Sequence, residues 1–437
     1  MSAEPAALDP AEPAGSDDPV GVPRQGLGRD FTLLWSASTL SSAGDGVSST
    51  AMPLLAAALT SSPALVGLAT SIGSLPWLLV GVFSGALVDR WDRLRVMWVV
   101  DTLRFGLVAG FAAAVATGAG GIGLLLAVGL LLGVGDTLFG TASQAVVPML
   151  VSREHGRLER ANGRLSASYT VSGQFVGPPV GGFLFGVARG LPFATDAASY
   201  GLSAVGVWLI ARRRAPAGPE NPTGPTAAGR GSLLAEVREG FGWLFGHRLL
   251  RTMAIAVSVT NLSFTASEAI LVLFARQRLG LGPVGYGVLL TAVAAGALLG
   301  SVVVSRISRL LGPGTSMAAG LALVAASRIG LGLSAGPVLA AAMLVVSGAA
   351  IAVFNVVGVS LRQRVTPDRL LGRVVSAYRL VGLGGIALGG LAGGLLAGRT
   401  SIRVPFLAGG AVVVVVTVVA ALLITNRAVA EAEALAT

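Results

Sequence analysis

The chain has 437 residues, of which 53% are hydrophobic and 12% are charged. Soluble domains carry about 25% charged residues, so this composition excludes a soluble fold. Runs of about 20 apolar residues, long enough to cross a bilayer, recur along the chain and predict transmembrane helices. The formal net charge of +10 does not indicate a nucleic-acid partner, because the basic residues lie in short connections between apolar runs, as membrane topology requires.

Residue types that the chain lacks exclude several kinds of chemistry. It has no cysteine, which excludes disulfides, thiolate metal sites and cysteine nucleophiles. It also has no lysine, and therefore no Walker-type phosphate loop. His155 and His247 lie in polar connections and receive no role. We therefore predict no cofactor, no metal site and no enzymatic activity.

The N-terminal half consists of a tail and six predicted crossings. Residues 1–28 are rich in Ala, Pro, Gly and acids and lack apolar periodicity, which is typical of a disordered tail. Residues 29–211 are expected to form an N-terminal six-helix bundle. Its crossings are predicted at Phe31 to Leu59, Ala64 to Val88, Val96 to Thr117, Ile122 to Leu150, Leu165 to Ala188 and Pro192 to Ala211.

The C-terminal half repeats this arrangement after a linker. Residues 212–247 are basic and rich in Pro and Gly, and an amphipathic surface helix is predicted over Leu233 to Phe245. Residues 248–427 are expected to form a C-terminal six-helix bundle, and residues 428–437 a second tail. The crossings are predicted at Leu249 to Ala275, Val284 to Ile307, Gly314 to Leu333, Pro337 to Leu361, Leu370 to Ala397 and Ile402 to Thr425.

The distribution of arginine tests this count of twelve crossings. Of the 31 basic residues, all of them arginine, 23 fall on one side of the membrane. The other side holds Arg189, Arg276, Arg278, Arg399 and Arg403, and the apolar runs contain Arg104, Arg328 and Arg379. By the positive-inside rule, both tails and the linker are expected in the cytoplasm, with the protein in the plasma membrane.

The two halves also echo each other in sequence. The positions that match at an offset of 209 residues are Gly163, Arg164, Tyr169, Gly173 and Gly181 with Gly372, Arg373, Tyr378, Gly382 and Gly390. Two similar bundles joined by a cytoplasmic linker predict a transporter whose substrate binds midway between them.

Two motifs carry a resemblance to a known family. The corner Gly85-x-x-x-Asp89-Arg90-x-x-Arg93-x-Arg95 is similar to the loop signature of the major facilitator superfamily between its second and third helices, with Asp92 where a Gly is usual. The stretch Gly173-x-x-x-Gly177-Pro178-x-x-Gly181-Gly182 is similar to the antiporter signature of the drug:proton exporters. The usual Arg of the fourth helix is missing.

Further positions resemble the branch of twelve-helix exporters that includes enterobactin and macrolide efflux proteins. They are Phe31 to Trp35, Gly44-Asp45 and Arg160-Ala-Asn162. The resemblance implies an all-α polytopic membrane protein with the major facilitator fold, and an exporter connected with antibiotic resistance. It also implies that the glycine motif forms a tight seal beside the cavity. The arginine count places the charged corner on the cytoplasmic face, so we interpret it as a gating loop with Asp89 as a conformational latch.

Ionisable residues inside the apolar runs are the candidates for transport chemistry. A charge at the bilayer centre costs at least about 2.5 to 3.5 kcal/mol, so it needs a partner, a water-filled cavity or a proton. Asp45 lies mid-crossing between two glycines and is predicted to bind a proton or substrate; the alternative is a structural hydrogen bond to a neighbouring helix. Asp136 is predicted either to face the cavity or to pair with an arginine.

The C-terminal half offers a second set of candidates. Asn261, Thr265 and Glu268 share one face of the seventh crossing, which favours a binding role, although Glu268 could instead pair with an arginine at the outer end. Arg328 and Arg379 are predicted to be buried cations that face a carboxylate, a carbonyl or an anionic substrate.

Other polar residues in the crossings receive a structural interpretation. Asp101 and Arg104 are expected to form a pair connected to the Asp89 corner, and Asp196 is expected to be structural. Aromatic contacts to an apolar substrate are expected from Trp77, Phe139, Phe264 or Phe354, any of which could equally face lipid.

These observations predict a monomeric secondary transporter that exports a small, largely apolar molecule, such as a drug, antibiotic or siderophore-like compound, in exchange for protons. A proton-coupled importer of the same fold remains open, although the antiporter-type motif counts against it. A membrane enzyme would need a nucleophile or metal set that the crossings lack, and a non-transporting membrane protein would not need ionisable groups in both bundles.

Overall fold

A computed structural model describes residues 27–79, 81, 88, 91–151, 155–214 and 233–434, and every regular element in these ranges is helical. The helices of the first half are α1 (Arg29–Leu59), α2 (Pro63–Leu79), α3 (Arg93–Ala116), α4 (Ile122–Leu150), α5 (155–187) and α6 (Leu191–Arg213). A short helix, α7 (Leu233–Gly246), precedes the second half, which contains α8 (Arg248–Gln277), α9 (Pro283–Leu311), α10 (Pro313–Leu333), α11 (Pro337–Val365), α12 (Asp368–Arg399), α13 (Val404–Leu423) and α14 (Asn426–Ala434).

Composition explains which of these helices cross the membrane. Nine helices in the described part of the chain are long and apolar enough to span it: α3, α4, α6 and α8 to α13. Three more pack among them. Helix α1 has 31 residues but a polar middle, α2 is apolar but contains a 3₁₀ turn at Ile72–Ser74, and α5 begins with a polar stretch. The predicted count of twelve crossings is consistent with this arrangement.

Helix α5 is irregular where two prolines follow each other. It runs as His155–Ser168, then as a wider π-helical segment over Tyr169–Val176, and then as Gly177–Val187. Pro178 and Pro179 lack the amide hydrogen that a regular helix would use, which frees carbonyl groups in the preceding turn. The result is a local distortion within the predicted antiporter motif.

Small residues let helices of the two halves approach closely at one end of the molecule. Backbone atoms of Gly67 in α2 meet those of Gly390 in α12, and a Cβ atom at Gly394 would lie 2.8 Å from the Ala64 Cα. In the same region Arg276 donates a hydrogen bond to the carbonyl of Ala57 at 3.1 Å. This end carries Arg276 and the other four arginines predicted to lie outside, so we name it the predicted outer end.

At the predicted inner end, polar contacts tie helices of the same half together. Arg214, at the end of α6, forms an ion pair with Asp30 of α1 at 3.1 Å. The Trp35 indole donates to the carbonyl of Arg164 in α5 at 3.3 Å. In the second half, Arg373 of α12 forms an ion pair with Glu239 of α7. Helix α7 is therefore attached to the second half by charge as well as by its apolar face.

Helix α14, most of which was predicted to be a C-terminal tail, is hydrogen-bonded to the turn between α9 and α10. The Asn426 Oδ1 atom accepts hydrogen bonds from the amides of Gly314 and Thr315 at 2.8 and 3.3 Å, and its Nδ2 atom donates to the carbonyl of Leu311 at 2.8 Å. One side chain thus satisfies the last carbonyl of one helix and the first amides of the next. The residue between them, Gly312, has φ of +79°, which favours glycine.

The helix bounds agree closely with those predicted from apolar runs. Helix α4 begins and ends at the predicted residues, and the linker helix α7 is one residue longer than expected. The largest difference is in α5, which begins ten residues before the predicted Leu165 because a polar amphipathic turn extends it beyond the membrane. The predicted bounds of the tails, bundles and linker as domains stay predictions.

Candidate functional site

Asp45 lies near the middle of α1, where glycines flank it on both sides. Its side chain is partly buried. The Oδ1 atom accepts a hydrogen bond of 2.6 Å from the hydroxyl group of Tyr200 in α6. The interhelical hydrogen bond that was the structural alternative therefore exists. It leaves the second carboxylate oxygen available, so it is compatible with proton binding as well.

Arg104 joins three helices at the centre of the first half. Its guanidinium donates to the Asp136 Oδ1 of α4 at 2.5 Å and lies 3.4 Å from the Asp101 Oδ1 of its own helix. The Arg104 side chain is only 4% exposed, whereas that of Asp136 is 47% exposed. Arg104 also lies 5.4 Å from the ring centre of Phe139 and 5.2 Å from that of Tyr200, positions that favour a cation.

This geometry revises the interpretation of Asp101 and Arg104. They do pair, as predicted, but the shorter contact of Arg104 is with Asp136, which is itself a predicted site residue. Asp101 is fully buried, and its Oδ2 atom accepts a hydrogen bond of 2.6 Å from Ser203 in α6. The pair therefore belongs to the same polar network as Asp45 and Asp136. The expected connection to Asp89 lies outside the described residues.

The antiporter motif packs directly behind Asp45. A Cβ atom at Gly177 would lie 2.6 Å from the Cα of Gly46, and backbone atoms of Gly173 and Gly181 also meet those of α1. The opposite side of α5 touches the second half, where Gly182 meets the backbone of Pro283 in α9. The motif therefore contacts both the helix of Asp45 and the second half.

In the second half, Arg328 and Glu268 are neighbours with incomplete hydrogen bonding. The Arg328 side chain is 1% exposed. Its Nη2 atom donates to the Ser347 hydroxyl of α11 at 2.8 Å, and its guanidinium lies 4.4 Å from the ring centre of Phe264. The Arg328 Nε and Glu268 Oε2 atoms have no hydrogen-bond partner among the described residues. The alternative partners predicted for Glu268 were Arg276 and Arg278, and Arg276 donates to the carbonyl of Ala57 instead.

A cavity of about 270 Å³ opens among the helices of the second half. Asn261, Phe264 and Thr265 line it from α8, and Phe354 and Asn355 line it from α11. The remaining lining is mostly aliphatic. Asn261 also donates to the carbonyl of Gly382 in α12 at 3.1 Å. A mostly apolar cavity with a few amide and hydroxyl groups is typical of small-molecule sites.

Arg379 is not the buried cation that the sequence predicted. Its side chain is exposed, and its guanidinium lies 5.2 Å from the ring centre of Trp77 in α2. Since Trp77 belongs to the first half and Arg379 to the second, the arginine lies at the junction of the halves rather than inside one bundle. A charge there can remain in contact with water, which removes the need for a buried counter-charge.

Only part of the predicted gating loop can be described. Gly85, Asp89 and Arg90 lie outside the described residues. Arg93 donates to the Met149 Sδ of α4 at 3.3 Å. Asp92, the departure from the family pattern, precedes α3 and accepts a hydrogen bond of 2.7 Å from the amide of Arg95. It therefore caps the helix, which a Gly could not do with a side chain.

Sequence reasoning missed several members of the polar network. Tyr200 and Ser203 bind Asp45 and Asp101, yet neither was singled out. A signal was present, because Asp196, Tyr200 and Ser203 recur at spacings of four and three along α6 and so share one face. Ser347 and Asn355 gave no such signal, since each is an isolated polar residue in an apolar run.

Comparison with known proteins identifies the family. A family model of the major facilitator superfamily, described as transmembrane secretion effector, matches residues 27–437. The multidrug efflux pump Tap of Mycobacterium tuberculosis is 29% identical over 281 residues, which are 63% of this chain and 64% of that pump, so this alignment spans less than two thirds of the pump. The pump of the same name from Mycolicibacterium fortuitum is 27% identical over 382 residues, 86% of this chain and 91% of that pump.

Solved structures share the fold at low sequence identity. A bacterial homologue of the iron transporter ferroportin, in an inward-facing state, superposes with a TM-score of 0.73 at 17% identity, covering 92% of this chain and 100% of that one. A bacterial homologue of the human lysosomal transporter Spinster, inward-facing and unoccupied, gives 0.70 at 16% identity, covering 92% and 97%. From its helices, motifs and relatives, this chain belongs to the major facilitator superfamily, in the family of transmembrane secretion effectors.

Proposed function

We propose that this protein exports a small, largely apolar molecule from the cytoplasm in exchange for protons. The observation that carries the proposal is the polar network of the first half, in which Asp45 binds Tyr200 and Asp136 binds Arg104 inside the membrane. The relatives named multidrug efflux pumps support the direction of transport, and the antiporter motif behind Asp45 supports the exchange.

The charge balance of the first half supports a role for protons. Among the described membrane-embedded residues of α1 to α6, four carboxyl groups, Asp45, Asp101, Asp136 and Asp196, face one cation, Arg104. With all five ionised the network would carry a net charge of −3, since four negative charges minus one positive leave three. Each uncompensated charge in the membrane costs at least about 2.5 to 3.5 kcal/mol. Bound protons offset that cost, and their number can change as the network opens to water.

The cavity of the second half supports an apolar cargo. Phe264 and Phe354 offer ring faces, while Asn261, Thr265 and Asn355 offer donors and acceptors without charge. Arg328 lies behind Phe264 and reaches Ser347. A neutral molecule with a few polar atoms would meet its needs in such a cavity, whereas a permanently charged one would lose hydration without gaining a counter-charge.

We further propose that the structure represents an inward-facing state. The close contacts of Gly67 with Gly390 and of Gly182 with Pro283 lie toward the predicted outer end, and they would close the path to that side. Export then requires these contacts to break while the predicted inner end closes. The placement of both tails in the cytoplasm and of the protein in the plasma membrane, and its monomeric state, are part of the same proposal.

Everted membrane vesicles provide the test. Respiration acidifies the vesicle lumen, and a pH-sensitive fluorescent dye reports proton release when a transported compound is added. Compounds would come from a panel of neutral and cationic antibiotics to which the protein confers resistance in a host without its own efflux pumps. We expect Asp45→Asn to abolish the response and Glu431→Gln, an exposed carboxylate of α14, to leave it unchanged.

Two results would contradict the proposal. The first is an unchanged response in both Asp45→Asn and Glu268→Gln, which would remove the carboxylates from the mechanism. The second is accumulation of the compound by intact cells without uptake into acidified everted vesicles, which would indicate import.

A further inference from the structure

Asp196 is a buried carboxyl group whose hydrogen bonding is incomplete. It lies in α6, one turn before Tyr200, and its side chain is fully buried. The Ser199 hydroxyl donates to the Asp196 backbone carbonyl at 2.7 Å and is 3.5 Å from Oδ1. The Oδ2 atom has no hydrogen-bond partner among the described residues. The donors that face this carboxyl group are the neutral hydroxyl groups of Ser199 and Ser48, and an ionised carboxylate needs stronger donors than these for its burial to be tolerable.

Helix α1 is shaped to hold this group. A Cβ atom at Gly44 would lie 2.6 Å from the Asp196 Oδ1 and 2.9 Å from the Ser199 Cβ. Only glycine therefore lets α1 pass so close to the carboxyl group. The next residue in α1 is Asp45, so the same short stretch of α1 contacts the carboxyl group of Asp196 and brings a second carboxyl group to α6.

Within the described ranges, no cation is left to neutralise Asp196. The charged and titratable groups that face it are Asp45 from α1, Arg104 from α3, Asp136 from α4, and Tyr200 from its own helix. Arg104 is already bonded to Asp101 and Asp136. The other groups are acids, so they would repel a second negative charge. A bound proton would remove the charge that nothing else in the described residues balances.

We propose that Asp196 is a second proton-binding site, sealed in this conformation and opened to the outer aqueous phase when the two halves separate at the predicted outer end. The Asp196 Oδ1 faces Gly44, the residue before Asp45 in α1, so the two carboxyl groups lie at a similar depth. They differ in burial, since Asp45 is partly buried and Asp196 fully buried. Asp45 is then the proton site that is open in this conformation, and Asp196 the one that opens in the other. The inference rests on the proposed proton exchange.

Infrared difference spectroscopy of the purified protein tests the site without substrate or gradient. A protonated carboxyl group whose oxygens lack hydrogen-bond partners has its C=O stretching band at higher frequency than a hydrogen-bonded one. We expect this band in the wild-type protein at neutral pH. Because Glu268 is another buried carboxyl group with an oxygen that lacks a hydrogen-bond partner among the described residues, the variants are compared in a Glu268→Gln background. There, Asp196→Asn should remove the band, whereas Asp45→Asn and the neighbouring Ser199→Ala should retain it.

The inference is overturned if the wild-type protein lacks the band or if Asp196→Asn leaves it intact. Should Asp196→Asn fail to fold, Asp196→Glu replaces it, since this variant keeps a carboxyl group. A shift of the band in Asp196→Glu would assign the band to residue 196, and an unshifted band would reject that assignment. If the band depends on Asp196 but the vesicle assay shows no exchange, the proton site stands and the proposed transport function fails.

Discussion

The contact between Gly177 and Gly46 makes a sharp prediction about the conformational equilibrium. In the structure a Cβ atom at Gly177 would lie 2.6 Å from the Gly46 Cα. Non-bonded carbon atoms prefer about 3.5 to 4.0 Å, so Gly177→Ala requires α5 to move from α1 by about 1 Å. Overpacking of this kind costs about 1 to 3 kcal/mol. If the helices separate in the other state, that state is favoured by about 5-fold to 150-fold.

The absence of cysteine makes the measurement direct, because a single introduced thiol is the only reactive one. Ala64→Cys places a thiol in the contact between α2 and α12 at the predicted outer end. A membrane-impermeant maleimide added from outside should label it slowly in the parent protein. Combination with Gly177→Ala should raise the labelling rate at least about fivefold, in line with the population shift.

The matched control is Gly186→Ala, in the same helix, where a Cβ atom would meet nothing within 4 Å. It should leave the labelling rate unchanged. Equal rates for the Gly177→Ala and Gly186→Ala variants would show that the close approach of α5 and α1 does not favour the closed outer end, and the packing argument would be wrong.

Three further predictions concern charge and capping. Arg104→Gln leaves the fully buried Asp101 without its cation and should lower the stability of the folded protein by about 3 to 5 kcal/mol, measured by thermal aggregation of purified protein. Adding Asp101→Asn should restore part of the lost stability, and the absence of any rescue would contradict the pairing. Asn426→Ala removes a helix cap at an exposed turn and should lower the free energy of unfolding by about 1 kcal/mol. Amide hydrogen exchange at residues 311–315 should become faster; unchanged exchange would show that Asn426 does not hold the α9–α10 turn. Glu239→Gln breaks an exposed ion pair and should change stability by less than about 1 kcal/mol, a larger loss showing that α7 depends on it.

The fold could be predicted from the sequence because the membrane imposes a few simple constraints on composition, and they apply along the whole chain. A crossing needs about 20 apolar residues, and arginine counts set the direction of each connection. The predicted bounds of α4 and α7 therefore agree with the structure to within one residue. Helix α5 did not, because its start is set by a polar turn outside the bilayer and its middle by two adjacent prolines.

The candidate site was harder to predict because it depends on which helices are neighbours. Asp45 and Asp136 could be selected one at a time from the cost of a buried charge. Their partners could not, since Tyr200 and Arg104 reach them across 155 and 32 residues of sequence. The same limit explains Arg379, whose place at the junction of the halves depends on Trp77 in a helix some 300 residues earlier.

The two halves of this protein therefore differ in chemistry while sharing a fold. Among the described residues, the first half contains the excess of buried acids, and the second half lines the neutral cavity. The cavity lining contains no residue of the acid network, so a proton and a cargo need not touch to exclude each other. One link between them is α5, since Gly177 contacts the helix of Asp45 and Gly182 contacts α9. Protonation that changes the packing of α1 is then transmitted to the second half through these glycine contacts, which leave no room for an added carbon atom. The coupling between protons and cargo should therefore be lost in Gly177→Ala, even though every ionisable group remains in place.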